Sequence, residues 1–496
     1  MKRLTILLAA LLPVHASHAA PAPADRLIPA HGQYSHTYQS DWSALPTGKV
    51  LAAWDTNKLT LQDVAGETAR RVISGQPEVH LKGLRLRVSW PGAQSEKYKH
   101  TLFLIRDCGR VLIEDCVIHF AEGDGRASYA FFIESSAEVT IRNVRVAGAS
   151  GRGFIRLEGV ETAFLDRIEL AGLDYGRGFR AGHGLLVNGG AGWDEKRQRP
   201  QELYAAPNYR THRWTVIQNV YVHDYAEALV PPGANHDGIN IQSGGDGLIF
   251  NCQFENWHAD SAVDISHRRS DAAYGRNKAL RVERCVFHDC KLAKNPGFGP
   301  GGGHQTLWAN NVFVNTGWKE YHQDFPLWLI HNTWHMDRIE GNSQLPLYFA
   351  ELRQRAATIS HFRNNLIAAS VPLRVMFSMQ SQSVPEGLPQ LTFDYNRYYL
   401  PAPGRWVDPR RTKVPAIKTW AEWQAAGRDR HGAWSATNAP GFVDAANRDF
   451  RLVPQADAAG RGTSETLTAG PQRLPVDRDF NGKKRPSPPS CGAFEP

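Results

Sequence analysis

VTIRNVRV (139–146), AFLDRIEL (163–170) and TVIQNVYV (215–222) are one phrase written three times, with apolar positions alternating with variable ones around a small or polar residue. The phrase recurs from about residue 80 to about residue 400, as in LKGLRL (81–86), LIFNCQF (248–254), RVERCVF (281–287), LWANNVF (307–313) and SHFRNNLI (360–367). A second short apolar stretch precedes most copies, among them LFLI (102–105), GINIQ (238–242) and AVDIS (262–266). Alternation of period two reads as strand, and the Asn, Asp and Gly between strands read as tight turns. Repeats of roughly 20 to 35 residues with two or three short strands each are the sequence sign of a solenoid. A propeller, with four strands per blade and longer repeats, ranks second. The expectation is an all-β chain: a single-stranded right-handed parallel β-helix with an N-terminal cap and a C-terminal tail. Asn143, Asn219, Asn310, Asn311, Asn364 and Asn365 stand at the turn positions, where Asn suits a left-handed backbone and ladders of stacked side chains.

The first 20 residues read as a cleaved export signal: Lys2 and Arg3, the apolar run 4–14, then Ser17-His18-Ala19. This places the mature chain in the periplasm or outside the cell. No run approaches the roughly 18 apolar residues of a membrane span. Residues 21–80 carry little regular pattern and are expected to cap the stack, which occupies 81–400. Residues 401–496 form a tail packed along it, with one short helix in IKTWAEWQAA (417–426) ended by Gly427. Losing Lys2 and Arg3 takes the formal charge from +8 to +6, which suits an acidic polymer. No zinc-finger spacing or basic helix points to nucleic acid, and a monomer is expected. The six cysteines contain no Cys-x-x-Cys pair. Cys108 with Cys116, or Cys285 with Cys290, are conceivable disulfides, whereas Cys252 and Cys285 fall at equivalent places and suit interior stacking.

In a β-helix, chemistry is sought where acidic residues line up across neighbouring repeats. ANHDGINIQ (234–242) and HADSAVDIS (258–266) qualify. Matching Ile239 and Ile241 with Val263 and Ile265 as inward residues sets Asn240 beside Asp264, and Asp237 near Asp260 and Ser261. Asp237, Asp260, Asp264 and Asn240 are hard oxygen donors, the set that suits calcium. Without a cation, carboxylates so close repel, or one stays protonated. Asp237 and Asp260 also suit turns; Asp264, in mid-strand, is the less ordinary residue. Arg268 and Arg269 lie on the following insertion, placed to meet carboxylates, and Trp257 and Trp193 are the best candidates for stacking on sugar rings. Trp308, Trp328 and Trp334 fall within the repeated phrase, where core packing is expected. The insertion 189–213 is expected to wall the cleft.

The ending NAPGFVDAANRDFRL (438–452) with DRDFNGKKRPSPPSCGAFEP (477–496) resembles that of many exported bacterial parallel β-helix proteins. Residues 230–337 resemble the family 9 polysaccharide lyases, pectate-lyase-like β-helices in which an Asp before Gly and an Asp-Asp-x-x-Asp cluster on the next repeat hold calcium. Asp237-Gly238 fits the first, and Asp260-Ser261-Ala262-Val263-Asp264 fits the second with Ser261 replacing one Asp. The resemblance implies elimination on a uronate polymer. Calcium neutralises the carboxylate and a base removes the C5 proton. The family's basic lysine follows Gly-Phe, where this chain has Gly299. Lys294, His304, His322 and Arg268 are therefore the candidate bases. A second resemblance, to family 28 polygalacturonases, rests on Asn235-His236-Asp237-Gly238, Asp260-Ser261 and Gly303-His304-Gln305. It implies hydrolysis by two carboxyl groups, with His236 beside the substrate. A non-catalytic polysaccharide binder is the third reading.

Overall fold

The computed structural model describes residues 60–90, 101–121, 129–148, 153–172, 181–188, 193–194, 199–200, 212, 214–225, 235–242, 246–258, 260–266, 279–296, 305–321, 327–338, 347–350, 360–380, 391–410, 416–437, 439–465 and 476–496. The proposed export signal, most of the insertion 189–213, and Arg268, Arg269, His304 and His322 lie outside this set.

The chain is nearly all β. Among the described residues, the strands assemble into one sheet of 20 strands and one of 12, each strand pairing in parallel with its counterpart in the next repeat. This arrangement is compatible with a parallel solenoid. Among the described residues, antiparallel strands pair at Trp193–Asp194 with Arg199–Pro200 and at Phe442–Asp444 with Asp449–Leu452, and isolated antiparallel bridges join Val407 to Ile417 and Arg478 to Lys484. Pairing begins before residue 81. Gln62–Ala65, Arg71–Ser74 and Glu78–Lys82 are already strands of the two sheets. It also continues past residue 400, through Val407–Arg410 and Ala433–Ser435.

In repeat after repeat a left-handed residue bends the 20-stranded sheet, and some strands carry a second one near their end, as at Asp224 and Asn256. Asp115, Asn143, Arg167, Asn219, Asn251, Arg284, Asn310, His331, Asn364 and Tyr395 have φ from 52° to 58°, and Asn tolerates this conformation best among residues with side chains. The expected Asn positions divide into two roles. Asn143, Asn219, Asn310 and Asn364 make the bends, while Asn311 and Asn365 turn inward and build a ladder with Asn332 and Asn396. Each ladder amide oxygen accepts the backbone N–H of the preceding member, at 3.0 Å for Asn311 to Asn332 and 2.9 Å for Asn332 to Asn365 and Asn365 to Asn396. The row ends on Asp429, which also accepts from Tyr398 Oη at 2.7 Å and Trp423 Nε1 at 2.9 Å.

Inside, equivalent side chains stack repeat on repeat. Phe254, Phe287, Phe313 and Trp334 form a column with ring centroids 4.6–4.8 Å apart and nearly parallel planes. Trp308 and Trp334 are fully buried in this core, as their place in the phrase predicts. Trp328 is instead partly buried beside Leu307, Ala309, Ile330 and the tail residue Val476. All six cysteines are free and buried, so neither conceivable disulfide forms.

The tail packs along the 20-stranded sheet. Phe450, Phe480 and Phe494 cover Val286, Val312 and Val314, and Arg485 pairs with Glu495 beside Asn310. The short helix spans Trp420–Ala425. Thr419 caps it with Glu422 in a capping box, and Gly427 follows at φ 79°. Among the described residues, no helix is long and apolar enough to cross a membrane.

Candidate active site

The proposed acidic centre sits on the 12-stranded sheet, in Asn235–Gln242 and Ser261–Ser266. Their register pairs Ile239 with Val263, Ile241 with Ile265, Asn240 with Asp264 and Asp237 with Ser261. This is the alignment expected from the sequence. One repeat earlier, Ala181–Asn188 sets His183 beside Asp237 and Leu186 beside Asn240. One repeat later, Lys294 is the register partner of Asp264, and Lys319 of Lys294.

Strict alternation fails at one point, and the failure makes the site. A Cβ on Gly238 would stand 2.5 Å from the Ala262 carbonyl oxygen and 3.2 Å from the core residue Val222. One on Gly184 would meet the Gly238 oxygen at 2.6 Å and the core residue Leu170 at 3.5 Å. Gly238 and Ile239 therefore both face the interior, as Ala262 and Val263 do. The doubled inward step brings Asp237 onto the outer face with Asn240, and Ser261 onto it with Asp264. Only glycine, or the small alanine at position 262, fits where the backbones approach this closely.

Asp237 is fully buried and heavily engaged. Ser261 Oγ donates to its Oδ1, and Asn240 Nδ2 donates to its Oδ2 at 2.6 Å. His183 Nδ1 lies 3.1 Å from the same Oδ2, without the alignment of a hydrogen bond. Asn240 has turned its amide nitrogen to Asp237, and its Oδ1, although buried, has no hydrogen-bond partner. A buried oxygen without a donor is costly, and this one belongs to the register neighbour of the Asp264 carboxylate. These are oxygen donors, the kind of ligand that calcium takes. Among the described residues, no three His, Cys, Asp or Glu side chains are grouped so as to hold a metal. The fit therefore rests on Asp237, Asp264 and the Asn240 amide oxygen. Asp260 sits half-buried on the turn just before, its backbone N–H bonded to the His236 carbonyl at 3.0 Å.

Two expected sugar contacts are corrected. Trp257 is fully buried in the core, its ring 4.9 Å from that of Tyr225, and presents no face to a ligand. His236 is also fully buried, with Nδ1 2.7 Å from Tyr225 Oη. It faces inward because Asp237 faces outward. Lys294 and Trp193 are placed by their backbones alone. His183 was not singled out from the sequence, although His183-Gly184 repeats the pattern of Asp237-Gly238 one repeat earlier.

No family model matches the chain, and no curated protein matches it either.

Proposed function

We propose that this protein is an exported polysaccharide lyase, wound as one right-handed parallel β-helix, which cleaves an acidic, uronate-bearing polymer by calcium-assisted β-elimination. The observation that carries the reading is the outer-face register Asn240–Asp264–Lys294, with Asp237 beside it. It sets an oxygen-rich acidic centre directly against a cationic position on the next repeat. In this reading Asp237, Asp264 and Asn240 hold the cation, with Asp260 on the adjoining turn. Bound there, calcium would neutralise the substrate carboxylate and so acidify the C5 proton. Lys294 takes that proton, and the electron pair released from C5 forms the C4–C5 double bond as the C4–oxygen bond to the leaving chain breaks. Lys294 is favoured over the other candidate bases, Arg268, His304 and His322, because its register partner is Asp264.

The hydrolase alternative needs a second carboxyl next to Asp237. The position holds Ser261, already bonded to Asp237, which favours elimination. Incubation with pectate, alginate and glycosaminoglycans should give an unsaturated product visible by its ultraviolet absorbance. Asp264→Asn is expected to slow its formation about a hundredfold or more, and Lys294→Gln to abolish it while leaving polymer binding. New reducing ends without that absorbance would select hydrolysis; polymer binding without either would select the binder. Full activity in excess chelator would remove calcium from the scheme. The protein is expected to act as a monomer.

A further inference from the structure

Directly beneath the acidic centre, the apolar interior is interrupted by three residues that hydrogen-bond to one another. Tyr225, His236 and Trp257 are each fully buried. Tyr225 and Trp257 are register partners at the ends of paired strands of the 20-stranded sheet, Trp214–Tyr225 and Gln253–Trp257. Both rings turn inward because the chain steps through a left-handed residue just before, at Asp224 (φ 60°) and Asn256 (φ 53°). The Tyr225 hydroxyl lies 2.7 Å from His236 Nδ1, and the two rings meet edge-on at 5.9 Å. The His236 carbonyl receives two further donors, the Trp257 indole N–H at 3.4 Å and the Asp260 backbone N–H at 3.0 Å.

Polar groups in such an interior are costly unless paired, and once paired they fix position more sharply than apolar packing does. Their geometry here has one outlet. His236 immediately precedes Asp237 in the chain, and its carbonyl carries the turn bearing Asp260.

We infer that Tyr225, His236 and Trp257 form an interior brace that positions Asp237 for the cation; this rests on the reading of the outer face as a calcium site. Tyr225 fixes the His236 ring and thereby the path of the strand into Asp237. The Trp257 indole and the Asp260 backbone N–H share the His236 carbonyl, so the backbone entering Asp237 is held from inside the stack and tied to the turn before Ser261. None of the three brace residues touches substrate; they are positioning residues.

The test is calcium titration calorimetry on the full chain, with the thermal midpoint measured by circular dichroism on the same samples. Tyr225→Phe removes one hydroxyl, and Trp257→Phe removes the indole donor. Each is expected to weaken calcium binding about tenfold, the usual effect of losing a partner that orients a metal ligand. Trp308→Phe, in the same core and packed against Phe287, Phe313 and Trp318, serves as the control for general loosening. It should lower the thermal midpoint and leave calcium affinity unchanged. The brace is overturned if Tyr225→Phe and Trp257→Phe bind calcium like the wild type, or if Trp308→Phe weakens binding as much as they do. A wild type that takes up no calcium, or an Asp237→Asn/Asp264→Asn double variant that still does, overturns the calcium site itself and the brace with it.

Discussion

At Gly238 a hydrogen stands where any other residue would press a carbon against the Ala262 carbonyl, 2.5 Å away. Gly238→Ala must push the two strands apart, an overpacking that costs about 1–3 kcal/mol. The predicted result is a lower thermal midpoint together with loss of the Asp237–Ser261 contact, and so of calcium binding. A variant with wild-type stability and affinity would show that the close approach is not required. The same glycine explains what was legible at the site and what was not. Aligning the inward isoleucines and valines finds Asn240 beside Asp264 and Ser261 beside Asp237, because register depends only on hydrophobic pattern. Inward or outward direction does not follow so simply. Counting back by twos from Ile241 puts His236 outside and Asp237 inside, and the doubled step at Gly238 reverses both. Asn256 does the same for Trp257, whose ring enters the core one residue after a left-handed turn.

The hairpin formed by Phe442–Asp444 and Asp449–Leu452 docks on the 20-stranded sheet between two histidines of opposite character. Arg448, at its tip, reaches Glu255 at 3.4 Å; Glu255 lies 3.0 Å from His288 Nδ1, and Asp289 lies 2.9 Å from His288 Nε2. Burial lowers the pKa of His288, but hydrogen bonds to Asp289 and Glu255 outweigh it and leave the value raised. His335 packs against Phe450 and Phe442 at 5.0 and 6.1 Å, and burial lowers its pKa despite the Asp337 charge. The raised His288 contributes fully below the ordinary value of 6.5 and loses its contribution as pH rises through its folded value. The lowered His335 contributes above 6.5 and loses its contribution as pH falls through its folded value. Docking is therefore predicted to be tightest near pH 6.5, the value both share when unperturbed. The protection of residues 442–452 against amide exchange, taken relative to the intrinsic rate at each pH, should pass through a maximum there, with His288→Gln flattening the alkaline side. A rate that follows only the intrinsic pH dependence of exchange would sink the idea. Of the tail that carries this hairpin, the sequence discloses the helix at Trp420–Ala425, because Thr419, Glu422 and Gly427 are local signals. The Arg448–Glu255 contact joins residues 193 apart in the chain, and no local pattern announces it.

For the molecule as a whole, the repeat was legible because every copy solves the same problem: two or three short strands, an inward apolar set and a polar bend. The ends were less legible, since the pattern thins where a repeat has a neighbour on one side only. This is why the strands from Gln62 and at Ala433–Ser435 escaped the expected limits of 81 and 400. Asp429 tests how the stack is finished. Asp429→Ala would leave the buried donors of Asn396, Tyr398 and Trp423 unpaired, at about 1–3 kcal/mol each, whereas Asp429→Asn keeps an acceptor and should unfold closer to the wild-type midpoint. Equal stability of wild type and Asp429→Ala would refute this. The row of amides leading to Asp429 works as a relay: each asparagine takes a hydrogen from the repeat before and offers one to the repeat after. The Asp429 carboxylate receives the last of them, and the Asp429 backbone N–H turns back to the Phe393 carbonyl at 2.8 Å. Placed last, it is the full stop of the row: the hydrogen it still holds points back into the stack rather than onward.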